Sequence, residues 1–399
     1  MFMSLYPWHK SKSDLLDELI KLGIITEEGG KVELTKAGAL LIQKPALDYS
    51  DVSIVPKFNN VYSRKEVNLE TQLTRNIKIP SPLVAANMEC VTNASFIKDL
   101  WKNNIAGVLH RFFVSEALFD KEYRELLCLA ESNGFPVLLS CGSREQDFEN
   151  LKRYVIDFRI DAIVIDIAHG HSAMMIDQAK RFKTLFNTFG KRTELILGNV
   201  CTAQAVRDLA PYADAIKVGV SNGGVCQTQV KTGAGFGQIT AVIECAEEAK
   251  KYGIPIICDG GINEPGDVMK ALVAGASSAM AGKIFARCPE SAAQIIERDG
   301  YDYKLYYGMA SNVLKNKIYG DTKKHVASEG IAIELPVGAS IYEFFPEYLA
   351  ALRSSFTYSG SKNISELWKN GELRRNTEAS FEKGKPHAVI EENARKLSN

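Results

Sequence analysis

The sequence predicts an α/β protein: a parallel (β/α)8 TIM barrel carrying a small N-terminal helical, winged-helix-like appendage. Three observations predict it. Short apolar runs recur eight times between residues 83 and 282. Amphipathic stretches with helical spacing lie between them. The residues least suited to a strand (Asn87, Asp166, Ser221, Asp259 and Gly282) gather at the C-terminal ends of those runs, which in a barrel is the catalytic face.

In chain order the runs are LVAANM (83–88), AGVLH (106–110), PVLLSCG (136–142), AIVIDIAHG (162–170), ELILGNV (194–200), AIKVGV (215–220), PIICDGG (255–261) and SSAMAG (277–282). Stretches such as CTAQAVRDLAPY and GQITAVIECAEEAKKYG read as the crossover helices. An open doubly wound sheet is the alternative, because periodicity does not give strand order. Residues 1–45 read as the appendage: a capped helix in SKSDLLDELIKLGII, a Gly-Gly turn, a VEL strand and LTKAGALLIQ. The barrel is expected over 46–380, with a flap at 312–345, and 381–399 form a polar tail.

Composition bounds the function. Of 399 residues, 46% are hydrophobic and 24% charged, an ordinary soluble balance. Lys plus Arg (48) equals Asp plus Glu (48), so no overall basic field recruits nucleic acid or an anionic membrane. No apolar run reaches the ~20 residues of a bilayer span. Eight scattered cysteines without a CxxC pair fit reduced thiols in the cytoplasm. His169 and His171 lack a third clustered ligand, which argues against a metal there.

The segment KVGVSNGGVCQTQVKTGAGFGQ (217–238) carries the sharpest chemistry. A strand ends at Val220, and a loop with Gly223 and Gly224 then presents Cys226, with Thr228 two residues on. Glycines permit the positive-φ turns that bring backbone groups close to a ligand. A thiol at the mouth of a barrel becomes a nucleophile where its surroundings favour thiolate. On residue type alone, a buried spacer cysteine is the commoner reading.

With its neighbours, this segment resembles the catalytic loop of the IMP dehydrogenase and GMP reductase family. LDYSDVSIVP, SRKEVNLETQLTRNIKIPSPLVAANMECVT, DIAHGHS, GNV, KVGV, CDGGINEPGDVMKALVAGA and YYGMAS follow in the family's order over roughly residues 47–380. The resemblance implies that Cys226 attacks purine carbon 2 to give a thioimidate, with Thr228 and Glu329 as its proton relay. Asp259 would take the ribose hydroxyls, and Gly260, Gly261, Gly282 and Lys283 the phosphate. Met309, Ala310 and Ser311 would lie against the purine, with Ser328 and Gly330 flanking Glu329. Ser63, Arg64, Arg111, Asp166, Ile167, Ala168, Val220 and Ser221 would contact a nicotinamide dinucleotide, NADPH or NADH/NAD. Carbonyls of Ser221, Gly223 and Cys226 would hold a monovalent cation, potassium in the family. The partner is a purine nucleoside monophosphate, and the assembly a tetramer of barrels.

Within the family the resemblance leans to the reductase, which converts GMP to IMP with NADPH and releases ammonia. HRFFVSEALFDKEYRELL leads straight into the third strand, without paired regulatory domains, and 312–330 lacks the dehydrogenase's Arg-Tyr pair. RSSFTYSGSKNISEL (353–367) is similar to the reductase's nicotinamide-site motif. DIAHGHS and GELRRNTEASFEKGKPHAV (371–389) are closer to the dehydrogenases, which convert IMP to XMP with NAD. The chain departs from the family at Asn222, at Gly224 (a phosphate-binding serine elsewhere), at Lys283 (a glycine), at Gln229 (an arginine) and at Val326 (an arginine in reductases). These departures keep open a modified purine nucleotide as substrate, or a nucleotide-binding protein without turnover.

Overall fold

Successive strand side chains point to opposite faces, so a run that is apolar at every position needs cover on both sides. A computed structural model describes residues 12–22, 24–28, 31–35, 44–319 and 328–384. It divides the chain between Ala46 and Leu47 into two units. The first holds a helix, Lys12–Lys21, and an antiparallel hairpin of Ile25–Glu28 with Lys31–Leu34. LTKAGALLIQ lies almost wholly outside the described residues.

In the second unit all eight runs form strands: β1 (Leu83–Ala85), β2 (Ala106–Gly107), β3 (Leu138–Cys141), β4 (Ala162–Asp166), β5 (Glu194–Val200), β6 (Ala215–Val218), β7 (Ile256–Asp259) and β8 (Ser278–Ala281). They lie parallel in the order β2-β1-β8-β7-β6-β5-β4-β3. The Leu109↔Leu139 bridge, with Leu109 N–H donating to Leu138 O at 2.9 Å, joins the two ends. The sheet closes, which rules out the open alternative.

Eight crossover helices cover the outside: α1 (Ala94–Lys102), α2 (Glu116–Asn133), α3 (Glu145–Asp157), α4 (Ala173–Phe189), α5 (Ala203–Leu209), α6 (Gln238–Lys250), α7 (Pro265–Val273) and α8 (Ile341–Tyr358). Asn93, Ser115, Ser172 and Thr202 each cap a helix by accepting a backbone N–H of its first turn. One apolar cluster fills the layer between strands and helices. A second fills the barrel with Val84, Ala106, Leu138, Val164, Ile196, Ala215, Ile257 and Met280, one from each strand. Leu73 and Ile79 of the hairpin that precedes β1 join this inner cluster.

Strand alternation now positions the chemistry. Two residues beyond Val164, Ala215 and Ile257, on the same inward face, stand Asp166, Lys217 and Asp259. The barrel interior is therefore apolar through its middle and charged at its C-terminal mouth.

Beyond β8 come a short helix, Lys283–Ala286, and an antiparallel sheet of Ile295–Arg298, Tyr301–Tyr307 and Ala332–Pro336. The flap is shorter than the 312–345 expected, because α8 begins at Ile341, where Ser340 caps it. Val326 lies outside the described residues. Leu373–Arg375 pairs with Val52–Ile54, and a helix over Glu378–Lys383 crosses the expected start of the tail. Among the described residues no helix is long and apolar enough to cross a membrane.

Candidate active site

A cavity of about 530 Å³ opens at the C-terminal ends of the strands, and Cys226, Asp259 and Gly282 all line it. The loop after β6 brings the thiol there. Ser221 adopts φ 71°, its hydroxyl accepts the Gln229 N–H at 2.8 Å, and Cys226 N–H donates to Gly223 O at 2.9 Å. Cys226 is half-buried in the cavity wall rather than sealed in core.

Glu329 reaches the thiol from the flap. A bridge pairs Cys226 with Gly330, and Gln227 N–H donates to Glu329 O at 2.7 Å. The Thr228 hydroxyl donates to Glu329 Oε2 at 2.9 Å and sits 3.1 Å from Cys226 Sγ, which also accepts the Thr228 N–H at 3.5 Å. A hydroxyl has one proton and two lone pairs. While Thr228 donates to Glu329 it can only accept from a thiol; when Glu329 is protonated it can donate to a thiolate. The three groups thus form a chain along which a proton can pass.

Opposite the thiol, the buried Lys217 ammonium lies 2.9 Å from Asp166 Oδ1 and 2.5 Å from Asp259 Oδ2. Asn87 Nδ2 donates to Asp166 Oδ2 at 2.7 Å, and Asn199 Nδ2 to Asp259 Oδ2 at 2.9 Å. Burial pushes the Asp166 carboxyl up, but the Lys217 charge, with Asn87 and Arg111, outweighs it and holds the group below the usual carboxylate range. Burial likewise disfavours the Lys217 cation, and the two carboxylates more than offset that, so its pKa is raised.

The adjoining turn is held by close packing. Gly219 has φ 151°, and a Cβ there would lie 1.9 Å from Asp259 O. Gly260 and Gly261 have φ 98° and 76°, and Tyr49 donates its hydroxyl to Gly260 O at 3.1 Å. A Cβ on Gly282 would meet the Tyr306 hydroxyl at 2.6 Å. Lys283 begins the short helix beside it and has no ion-pair partner among the described residues.

Most of the expected residues meet here. Cys226, Thr228, Glu329, Asp259, Gly260, Gly261, Gly282, Lys283, Met309, Ala310, Arg111, Asp166, Ile167, Ala168, Ser221 and Gly223 line the one cavity. Ser328, Gly330 and Ser311 sit just behind it. Ser328 donates to Gly330 O at 2.9 Å, and Gly330 bridges to Ser311. Val220 is buried beside the loop. Ser63 and Arg64 lie apart: Ser63 caps an exposed 3-10 turn over Arg64–Glu66, and neither lines the cavity of its own chain. Of the three carbonyls expected to hold a cation, that of Gly223 already accepts the Cys226 amide. Asp166 does not cap α4, a role taken by Ser172, and His171 pairs with Asp208 at 2.8 Å.

Sequence reasoning missed Lys217 and Asn199 as site residues. The available signals were a charged residue inside the apolar run AIKVGV and an amide closing ELILGNV. Tyr306, which lines the cavity next to Gly282, was also missed.

A dinucleotide fits the Asp166 side on one structural observation. Arg111 lines the cavity there, and its Nε is buried without a hydrogen-bond partner among the described residues, a donor in want of an acceptor.

The family model described as IMP dehydrogenase / GMP reductase domain matches residues 46–387. GMP reductase 2 of Homo sapiens is 35% identical over 80% of this chain and 91% of its own length. A GMP reductase of Onchocerca volvulus is 32% identical over 89% and 97%. An inosine-5'-monophosphate dehydrogenase of Nitrosopumilus maritimus is 28% identical over 87% and 99%. In fold, the chain superposes on a Trypanosoma brucei GMP reductase solved with guanosine 5'-monophosphate. That match has a TM-score of 0.79 at 22% identity and covers 88% of this chain and 100% of the other.

Proposed function

Because the chain belongs to the IMP dehydrogenase / GMP reductase family, we propose that it is an oxidoreductase that reductively deaminates GMP to IMP. The observation that carries this reading is the hydrogen-bonded run Cys226–Thr228–Glu329 in the cavity wall. A soft thiolate adds to the electron-poor amidine carbon 2 of guanine, which splits one hard displacement into two easier steps. Glu329, through Thr228, passes a proton to the departing amino group, which leaves as ammonia, and the ring stays on sulfur as a thioimidate. When bound beside Asp166 and Arg111, a nicotinamide dinucleotide would supply the hydride for carbon 2. Cys226 then leaves as thiolate and IMP is released. Overall, GMP, NADPH and two protons give IMP, NADP⁺ and ammonium.

Asp259 fits the ribose diol through the lone pairs of Oδ1, since Oδ2 already accepts from Lys217 and Asn199. Asp166 and Arg111 would hold the dinucleotide, NADPH in our reading, and the carbonyls of Ser221, Gly223 and Cys226 a potassium ion. We extend the reading to a cytoplasmic homotetramer. Phe58 and Tyr62, 89% and 95% exposed beside Ser63 and Arg64, support contact with a second copy, and such a contact would bring Ser63 and Arg64 to a neighbour's cofactor.

Purified protein given GMP and NADPH should lose NADPH absorbance and release ammonia one for one. No loss and no ammonia sinks the assignment. NADH appearing from IMP and NAD would establish the dehydrogenase instead, the reading that DIAHGHS favours. Tight nucleotide binding without turnover of any purine nucleotide would mark a sensor.

The Lys283 ammonium, without an ion-pair partner among the described residues and lining the same cavity as Gly224, stands in for lost phosphate donors as a point charge. Lys283→Ala should therefore weaken GMP binding by roughly 10- to 100-fold, the range of one charge-assisted hydrogen bond. Guanosine, which has no phosphate, should bind both proteins equally. Titration calorimetry with the two ligands checks it, and equal losses for both would refute the role.

A further inference from the structure

Lys217 does not belong to the thiol chemistry, yet its ammonium is buried in the barrel mouth between two carboxylates. Its side chain is 2% exposed and spans from β6 to carboxylates on two other strands, Asp259 on β7 and Asp166 on β4. To reach β4 it must cross β5. The inward residue of β5 at that level is Gly198, where an added Cβ would lie 2.6 Å from Lys217 Cβ. Any other residue there would collide with the lysine, so β5 makes room for it. The amides of Asn87 and Asn199 also donate to the carboxylates, Asn199 to the same Asp259 oxygen as Lys217. The carboxylates themselves stay accessible to the cavity, at 25% for Asp166 and 18% for Asp259.

We infer that Lys217 is a positioning residue that holds Asp166 and Asp259 in one shared ion triad and thereby couples the nucleotide half of the cavity to the dinucleotide half. The inference rests on the proposed function for what occupies each half. Two carboxylates facing one buried point do not both stay ionised without a cation between them. With Lys217 present, each stays ionised and offers ligand hydroxyls the acceptor sites that Lys217, Asn87 and Asn199 leave open. A ligand that draws on one carboxylate also changes that carboxylate's share of the ammonium, and the other feels it.

The charged groups around the triad are few. Arg111 faces Asp166 and is itself 3.6 Å from Asp147; Lys283 and Glu329 share the cavity. None of them replaces Lys217 between the two aspartates. Without the ammonium, burial is opposed only by Asn87 and Arg111, and the Asp166 carboxyl rises. The acid limb of the pH profile is then expected at higher pH than in the wild type.

The test compares Lys217→Met, Lys217→Gln and Lys217→Arg in the full chain, using GMP and NADP⁺. Calorimetry gives the NADP⁺ affinity with and without saturating GMP, and kinetics give kcat/KM across pH. In the wild type GMP should change the NADP⁺ affinity several-fold. In the two uncharged variants that factor should fall to one, GMP binding should weaken about 10-fold or more, and the acid limb should rise by about one pH unit or more. Arginine, charged and able to reach two carboxylates, should restore the limb and the coupling. Uncharged variants that keep the wild-type limb and coupling would overturn the proposal. So would failure of both to fold while Lys217→Arg folds, since the lysine would then serve stability. Loss of turnover with intact Lys217-dependent coupling sinks only the proposed reaction. A wild type that binds no GMP sinks both.

Discussion

Cys226→Ala is expected to lower GMP turnover by roughly 10⁴-fold or more while leaving GMP binding within about 3-fold, as removal of a covalent nucleophile does elsewhere. The split follows from geometry. Sγ stands in the cavity wall with a hydroxyl and an N–H directed at it, whereas the groups fitted to the ribose and phosphate come from β7, β8 and the loops after them. Removing sulfur deletes the bond to carbon 2 and leaves that cradle intact. Cys226→Ser should be nearly as inactive, because a serine hydroxyl is far less ionised than a thiol at neutral pH. Steady-state kinetics with GMP, together with calorimetric binding of GMP to the variant, checks both halves. Turnover above a hundredth of wild type would remove covalent catalysis from the mechanism.

Glu329→Gln carries the second large effect, a loss of about 10²- to 10⁴-fold in GMP turnover, the usual worth of a positioned acid or base. Glutamine keeps the length of the side chain and still accepts the Thr228 hydroxyl, but it carries no proton to give. The loss should therefore depend on the leaving group. Ammonia needs protonation to depart; chloride does not. An inosine monophosphate bearing chlorine at carbon 2 should load onto Cys226 of the glutamine variant within about 10-fold of the wild-type rate. Equal defects with the amino and chloro substrates would mean that Glu329 shapes the loop rather than moving a proton. Thr228→Val, which breaks the chain in the middle, should show the same pattern.

The barrel was legible because its strands are apolar on both faces and short, and all eight expected runs are strands of one closed sheet. Closure itself was not legible: it rests on one bridge, Leu109↔Leu139, between residues that no local pattern connects. In the site, residues read in two separate segments (Cys226 with Thr228, and Asp259 with its glycines) do stand together around a single cavity. Lys217 was invisible for a physical reason. A lysine inside an apolar strand reads as a break in the pattern until its partners are known, and those partners sit on strands brought alongside only by closure. Gly198 shows the same blindness, since its lack of a side chain acquires meaning only beside Lys217. Ser63 and Arg64 mark a third limit: both stand on an exposed 3-10 turn, and neither lines the cavity that gathers the other expected residues.

Mass spectrometry of the intact, acid-quenched protein tests the covalent step most directly. After incubation with IMP and NADP⁺, or with GMP and NADPH, the protein should gain a nucleotide joined through purine carbon 2, the increment being GMP less ammonia. Peptide mapping should put it on Cys226, and Cys226→Ala should not acquire it. Active protein that never carries the adduct, or carries it on another cysteine, would contradict the account.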